Sequence, residues 1–439
     1  MDFFGREDDI RELRRIRESA GKSARFTVVT GRRRVGKTEL LHKAFEDRPY
    51  LYFLVTRSAE KDLCAAFQEE YGRVTGRTFP ASADKFASLF RWIMEESVER
   101  PLTLVIDEFQ EFDRINPSVF SEMAGSWDLL HRKAKINLVV CGSVNRLMNK
   151  IFYNDGEPLY GRNTAKLTIL PFTVSDLKSI LGTMNRKFTG DDLLAFWTLT
   201  GGVARYVEQL VDDGASNRRK MIATVFRRGS PAIDEGKAIL IQEFGKDYGT
   251  YFSILSAIAA GKTSYGDIRN AIGIDPGAYL NNLETEYALV SKVLPAYAAP
   301  GGKNSKYKIE DRFFRYWFRF IWKNQYLIEL GKYDRLREIV DRDFDVFSGE
   351  GLESYFRACF LETKPYARMA AWWDRKGENE IDLVCEDEGR GTFDFYEIKR
   401  DPRRFDRAAL EAKVAAFLEK NPSKRNARRA LHFVSLSDM

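Results

Sequence analysis

No run of apolar residues in this 439-residue chain approaches the ~20 needed to cross a bilayer. Its first ten residues, Met1 to Ile10, hold no apolar stretch of the kind a secretory leader needs, so the expectation is a cytoplasmic protein without a membrane partner. Cysteine is scarce. Cys64, Cys141, Cys359 and Cys385 lie far apart without metal-ligand spacing and read as buried thiols of a reducing compartment. The three histidines, His42, His131 and His432, form no catalytic pattern. A large excess of one charge is missing too: 70 Lys and Arg against 64 Asp and Glu leave +6, which does not by itself argue for nucleic acid.

What is present reads as a globular protein, with 44% hydrophobic and 31% charged residues. The length allows about three domains at ~150 residues each. The most informative segment is Gly31-Arg32-Arg33-Arg34-Val35-Gly36-Lys37-Thr38, a phosphate-binding loop of the G-x-x-x-x-G-K-[ST] type. Phe26–Thr30 before it reads as a buried strand, and Glu39–Phe45 after it as a helix, the context the motif requires. Gly31 and Gly36 let the backbone, with Arg34 and Val35 between them, turn its N–H groups toward phosphates at a helix N-terminus that begins around Glu39. Lys37 is expected at the β- and γ-phosphates of ATP, and the Thr38 hydroxyl on Mg²⁺.

Tyr50–Val55 reads as a second strand, and Leu102–Asp107 as an apolar strand ending in two acids. Asp107 is expected to support the Mg²⁺ shell through water or the Thr38 hydroxyl, and Glu108 to act as general base on the attacking water. The next strand, Asn137–Ser143, ends in a small polar residue. Ser143 is therefore either a γ-phosphate sensor or the N-cap of the helix starting at Val144. Arg162, ahead of the strand Lys166–Phe172, is either a guanidinium that stabilises the transferred phosphoryl group, in cis or in trans, or a surface residue.

With these motifs in place the chain resembles the archaeal-type P-loop ATPases, a branch near the AAA+ and STAND proteins. The resemblance includes Gly5-Arg6-Glu7, which implies an adenine-side contact by Gly5 and Arg6. It also includes the Gly161-Arg162 pair before Leu170-Pro171-Phe172, and the helical turn Thr200-Gly201-Gly202-Val203-Ala204-Arg205-Tyr206. Ala204 stands where the family usually has proline, and Arg205 is a weak candidate for a second sensor.

Downstream, 175–230 reads as a helical lid. Helices around Tyr251–Ala259, Tyr265–Ile272 and Pro276–Leu283, followed by a hairpin from Val290–Pro295 through a Gly- and Lys-rich turn to Tyr307–Ile309, read as a winged helix. Its third helix carries Asn281, Asn282, Glu284 and Glu286 and no arginine, which favours an interaction module over a sequence reader. The aromatic, arginine-rich stretch from Arg312 to Phe320 reads as packing. The last module resembles the PD-(D/E)xK restriction-endonuclease-like superfamily. Asp382 on one strand, and Glu397 and Lys399 on one face of the next, would form its metal site, completed by Glu353 from the preceding helix. Ile381 stands where the motif has proline. A salt-bridged hairpin is the alternative, and whether such a site cleaves anything stays open. A basic C-terminal stretch (Lys399, Arg400, Arg403, Arg404, Arg407, Lys413, Lys420, Lys424, Arg425, Arg428, Arg429) could attract a phosphate backbone or form a solvated helix face.

The expectation is therefore a multi-domain α/β protein: a P-loop ATPase core over 1–174, a helical lid over 175–230, a winged helix over 231–322, and a helical linker with a nuclease-like domain over 323–439. ATP and Mg²⁺ are its expected cofactors. DNA or a protein partner, through the winged helix and the basic C-terminus, and a homo-oligomer are left open. Two further readings stand beside an ATPase that couples its nucleotide state to the other modules: a Mg²⁺-dependent DNA endonuclease gated by ATP, and a STAND-like signalling switch that hydrolyses poorly.

Overall fold

The computed structural model describes residues 3–79, 83–143, 145–299, 302 and 304–439. One compact unit covers Gly5–Pro171, and a second is built on Phe172–Met439.

In the first unit the apolar runs become five parallel strands, β1 (Arg25–Thr30), β2 (Leu51–Leu54), β3 (Leu102–Asp107), β4 (Ile136–Cys141) and β5 (Ala165–Thr168). Their order is β2-β3-β4-β1-β5. The central strands are apolar without alternation because helices cover both faces. Phe26, Val28, Leu104, Ile106, Leu138 and Val140 pack with the helices Glu60–Thr75, Phe86–Glu99 and Ser118–Leu130. The helices Glu7–Ala20 and Lys37–Phe45 pack on each other, and the first also meets β1 and β4. The run expected as a strand over Lys166–Phe172 pairs only as far as Thr168, at the sheet edge, where its side chains alternate between half-buried and exposed.

The second unit opens with the helices Val174–Met184, Gly190–Thr200, Ala204–Asp212 and Arg218–Val225. The first two are started by capping boxes, Thr173 with Asp176 and Thr189 with Asp192. The helices Tyr248–Ala259, Tyr265–Ile272 and Gly277–Thr285 then precede the antiparallel pair β6 (Val290–Val293) and β7 (Lys306–Ile309), the element order of a winged helix. Residues 300, 301 and 303 of the expected turn lie outside the described residues. The aromatic stretch is core: Phe313, Phe314, Tyr316, Trp317, Phe318 and Phe320 are all buried, and the helix loosens into a π-helical turn over Trp317–Ile321.

After the helices Tyr333–Phe347 and Gly349–Thr363 comes a mixed sheet of β8 (Arg368–Trp373), β9 (Glu380–Asp387), β10 (Thr392–Ile398) and β11 (Arg428–Val434). β8, β9 and β10 are antiparallel neighbours, while β10 and β11 pair in parallel across the helix Arg407–Lys420. That helix packs Leu410, Val414 and Phe417 on Phe393, Phe395 and Ile381. The other face of the sheet, through Leu383, Cys385, Tyr396 and Ile398, joins one continuous core with the winged helix and the helices of 174–225. The segments expected as lid, winged helix and C-terminal domain thus share a single hydrophobic interior.

Gly201 and Gly202 end the helix Gly190–Thr200 with φ of 56° and 72°. Gly202 also accepts a hydrogen bond from the Phe172 N–H at 2.7 Å, and a Cβ there would lie 2.4 Å from the Phe172 carbonyl oxygen. Gly229, at φ 75°, has nothing near its missing side chain. Urea unfolding should therefore show Gly202→Ala destabilised by about 2 kcal/mol or more, and Gly229→Ala by only about 1 kcal/mol.

Candidate functional site

The parallel sheet brings three strand ends together. The loop leaves β1, the acids follow β3, and Ser143 follows β4, whose register aligns Val29 with Cys141 and Ile106 with Val140. The loop turns through φ of 151° at Gly31, 67° at Arg34 and 92° at Gly36. A Cβ on Gly31 would come within 2.5 Å of the Ile169 carbonyl oxygen, so only glycine fits. Gly36 caps the helix Lys37–Phe45 with no side chain on its first N–H groups, which suits the helix end to an anion. Val35 is fully buried beneath the loop, while Glu39 is exposed in the first helical turn.

Lys37 is buried, and its Nζ donates to the carbonyls of Gly31 at 2.8 Å and Arg32 at 3.0 Å. Burial pushes its ammonium below the usual lysine range, and Glu108 and Asp107 oppose that shift. The Thr38 hydroxyl donates to Asp107 Oδ2 at 2.7 Å. Glu108 takes hydrogen bonds from Ser143 Oγ at 3.0 and 3.3 Å and from Gln110 Nε2 at 2.5 Å. Ser143 is thus a partner of Glu108; Val144, where the helix that Ser143 was alternatively expected to cap would start, lies outside the described residues. From the N-terminal segment, Gly5 and Arg6 take left-handed conformations, and Arg6 Nη2 reaches the Val35 carbonyl at 3.4 Å.

Sequence reasoning missed two participants. The Tyr52 hydroxyl donates to Asp107 Oδ2 at 2.8 Å, the oxygen that also takes Thr38. Burial, followed by Asp107, pushes the Tyr52 phenol well up, and its ring lies against His42 with centroids 4.7 Å apart. Gln110, two residues beyond the second acid, is fully buried. The one available signal for Tyr52 was its strand next to the acid strand; for Gln110 it was its nearness to Glu108.

Arg162 goes elsewhere. Its guanidinium holds Asp128 through two contacts, 2.9 and 2.6 Å, and donates to the Pro158 carbonyl at 2.5 Å. The described contacts thus place Arg162 on an acid of the helix Ser118–Leu130 and not on Lys37, Thr38, Asp107 or Glu108. Arg205, in the other unit, pairs with Glu208 at 3.2 Å.

In the C-terminal sheet, Lys399 Nζ lies 2.9 Å from Glu397 and 3.3 Å from Asp382, whose Oδ2 also accepts the Ile398 N–H at 2.7 Å. Lys413, from the helix Arg407–Lys420, was not foreseen and holds Glu397 at 3.1 Å. Glu353 and Asp382 line a cavity of about 590 Å³ together with Lys308, Arg312, Arg315 and Arg357. Burial first, then the Asp382 charge, pushes Glu353 up to about 7. The expected gathering of Glu353, Asp382 and Glu397 as one ligand set is not found: among the described residues no three His, Cys, Asp or Glu side chains are arranged to hold a metal ion. Two lysines bind Glu397 instead. Part of the basic C-terminal stretch is paired with acids, with Arg400 on Asp191 and Asp345, Arg403 on Asp401, Arg407 on Glu411 and Lys424 on Glu386. Cys64, Cys141 and Cys385 are buried thiols, whereas Cys359 is half-buried. No described helix is long and apolar enough to cross a membrane.

Comparison with known proteins agrees with this geometry at the N-terminal end. Residues 3–210 match a family described as an ATPase domain predominantly from Archaea, and residues 317–409 match a family of Archaea bacterial proteins of unknown function. An uncharacterized protein of Methanocaldococcus jannaschii is 27% identical over 410 residues, covering 90% of this chain and 87% of its own. A second uncharacterized protein of that organism is 24% identical over 91 residues, covering 20% of this chain and 88% of its own. Among solved structures, the Walker-type ATPase of Pyrococcus abyssi superposes with a TM-score of 0.54 at 18% identity, over 72% of this chain and 96% of that one, a likeness of fold. Residues 3–210 are thus similar to an ATPase domain found predominantly in Archaea, and residues 317–409 to a family of unknown function.

An acid whose folded pKa lies above its unfolded one binds more protons folded than unfolded. The stability Glu353 contributes is therefore fullest below about pH 4.5 and is lost as pH climbs through about 7. In chelator-treated protein, Glu353→Gln should lessen the fall in unfolding free energy between pH 5.5 and 8 by about 2 kcal/mol relative to the parent. Equal pH profiles in urea titrations would reject this environment for Glu353.

Proposed function

We propose that this protein is a Mg²⁺-dependent ATP hydrolase whose nucleotide state is passed to its winged helix and C-terminal sheet domain. The observation that carries the reading is the 2.7 Å hydrogen bond from the Thr38 hydroxyl to Asp107, which joins the phosphate loop to the acidic strand at the place a metal would take. The residues fit both groups: a glycine at Gly31 where a Cβ would meet the Ile169 carbonyl, an uncapped helix start, a buried lysine, and a hydroxyl beside a carboxylate.

In this mechanism the N–H groups of the loop and of the helix start hold the phosphates, and Lys37 exchanges its own loop carbonyls for β- and γ-phosphate oxygens. Thr38 and Asp107 would hold Mg²⁺, which supplies neutralisation of the phosphate charge. Tyr52 keeps Asp107 oriented. Glu108 takes a proton from water as the water oxygen bonds to the γ-phosphorus and the bond to the β–γ bridging oxygen breaks, leaving ADP and inorganic phosphate. Gly5 and Arg6 are assigned to the adenine side.

The winged helix fits a protein-contact role. Asn282 donates to the Tyr251 hydroxyl at 3.1 Å and Glu284 accepts the Lys292 N–H at 3.1 Å, so the third helix uses its polar groups internally. A second reading, metal-dependent phosphodiester cleavage, draws on Asp382 and Lys399 at 3.3 Å, with Asp382 beside a cation-lined cavity. Nicking of plasmid DNA with Mg²⁺ or Mn²⁺ that disappears in Asp382→Ala would establish it, and no nicking by the parent would remove it.

Lys37→Ala should lose the calorimetric heat of Mg-ATP association and lower turnover by at least about a hundredfold, the scale of one strong charge-stabilising contact. Unchanged hydrolysis by that variant would defeat the assignment.

A further inference from the structure

The carboxylate of Glu108, the proposed base, already holds two donors. Its Oε2 accepts Gln110 Nε2 at 2.5 Å and Ser143 Oγ at 3.0 Å, and Ser143 also lies 3.3 Å from Oε1. The backbone that arranges this is unfavourable in itself, since Glu108 sits in the left-handed region at φ 52°. Gln110, in the short turn Phe109–Glu111, is fully buried, and its Oε1 has no hydrogen-bond partner among the described residues. A buried carbonyl left unpaired is destabilising, so an amide that only filled space would be worse than a hydrocarbon of its size. The amide is also held fast, because even a methyl on Gly142 would come within 2.6 Å of that oxygen. Only its bond to Glu108 gives the polar group a purpose.

Resting on the ATPase reading above, we propose that Gln110 and Ser143 clamp Glu108, and that a γ-phosphate opens the clamp through Ser143. A serine hydroxyl has one proton to donate. In the geometry described, that proton goes to Glu108. When it goes to a γ-phosphate oxygen instead, Glu108 loses one of the two hydrogen bonds that restrain its carboxylate and lower its basicity, and it turns more readily to the proton of the attacking water. A nucleoside diphosphate has no γ-oxygen to compete, so the clamp stays shut. Gln110 is buried and meets no such competitor. It therefore sets the restraint that remains and, with it, the resting rate. It is a positioning residue, acting through Glu108.

The test uses the full chain carrying Gln110→Leu, which keeps the volume and removes both polar atoms. ATP affinity by calorimetry should be unchanged. The kcat should rise about tenfold, the weight of one hydrogen bond to a charged group, with KM for ATP unaltered. Gln110→Met should behave alike, which guards against a packing effect of the branched side chain. Both variants should unfold at or above the parent's temperature, since an unpaired carbonyl has gone; a merely structural glutamine would lower stability and kcat together. Turnover equal to or below the parent's in both variants, with ATP binding intact, overturns the clamp and leaves the ATPase reading standing. Failure of the parent to bind ATP overturns that reading and the clamp with it. A parent that binds ATP but turns over only once Gln110 is replaced would be the clamp in its strongest form.

Discussion

Parallel pairing of β4 with β1 on one side and β3 on the other is the constraint from which the N-terminal site follows. It separates the strand that feeds the phosphate loop from the strand that ends in acids by two strand spacings, about 9.6 Å. The helix that starts at Lys37 covers that gap, so Thr38 arrives at Asp107 across the end of β4. The inserted strand also delivers Ser143 between loop and acids, which a direct β1–β3 pairing would not. From the other flank β2 supplies Tyr52 to the same Asp107 oxygen. Four strands thus converge on one carboxylate pair, and a slip of one residue in any register would turn these side chains to the opposite face.

Where chemistry is carried by contiguous residues, the sequence reveals it. The loop, the helix behind it and the double acid are each local patterns, because glycines at positive φ and an apolar strand ending in carboxylates have few other uses. The run of three short helices followed by a β pair was readable for a similar reason, from local amphipathic patterns and turn residues. Contacts that depend on which distant side chain wins a partner were not readable. Arg162 looks in sequence like a guanidinium ahead of a strand, and only the folded chain puts Asp128 beside it. Lys413 is one basic residue on a basic helix until the crossover from β10 to β11 lays that helix over Glu397. Lys399 bridges Asp382 and Glu397 as their alternation on neighbouring strands allowed, but nothing in the sequence signalled that Lys413 would take the other side of Glu397.

The second unit illustrates how far a shared interior limits independent motion. The aromatic stretch after the winged helix is buried against Phe226, Phe252 and Phe347, which belong to three different segments. Trp317 fills the space a Cβ on Gly236 would take, and its indole donates to the Ile233 carbonyl at 3.1 Å. Packing at this density transmits displacement rather than absorbing it. A winged helix set in such a core moves with its neighbours. A signal reaching this unit would therefore move it as a body, and the C-terminal sheet, joined to that core through Leu383, Cys385, Tyr396 and Ile398, would move with it.

The two charged groups on which hydrolysis would turn are both satisfied by their own chain: Lys37 by the carbonyls of Gly31 and Arg32, and Glu108 by Gln110 and Ser143. Binding a triphosphate at such a site is an exchange of hydrogen bonds, and only the difference between old and new partners favours the bound state. A carbonyl is a weaker partner for an ammonium than a phosphate oxygen, and a serine hydroxyl gains less from switching between two anions. Affinity would then come chiefly from the loop and Lys37, while the Ser143 exchange, nearly balanced in energy, adds little to binding and much to the timing of the chemistry. Such a division would keep a diphosphate bound with Glu108 still held, because the loop contacts would survive the loss of the γ-phosphate while the competitor for the Ser143 proton would be gone.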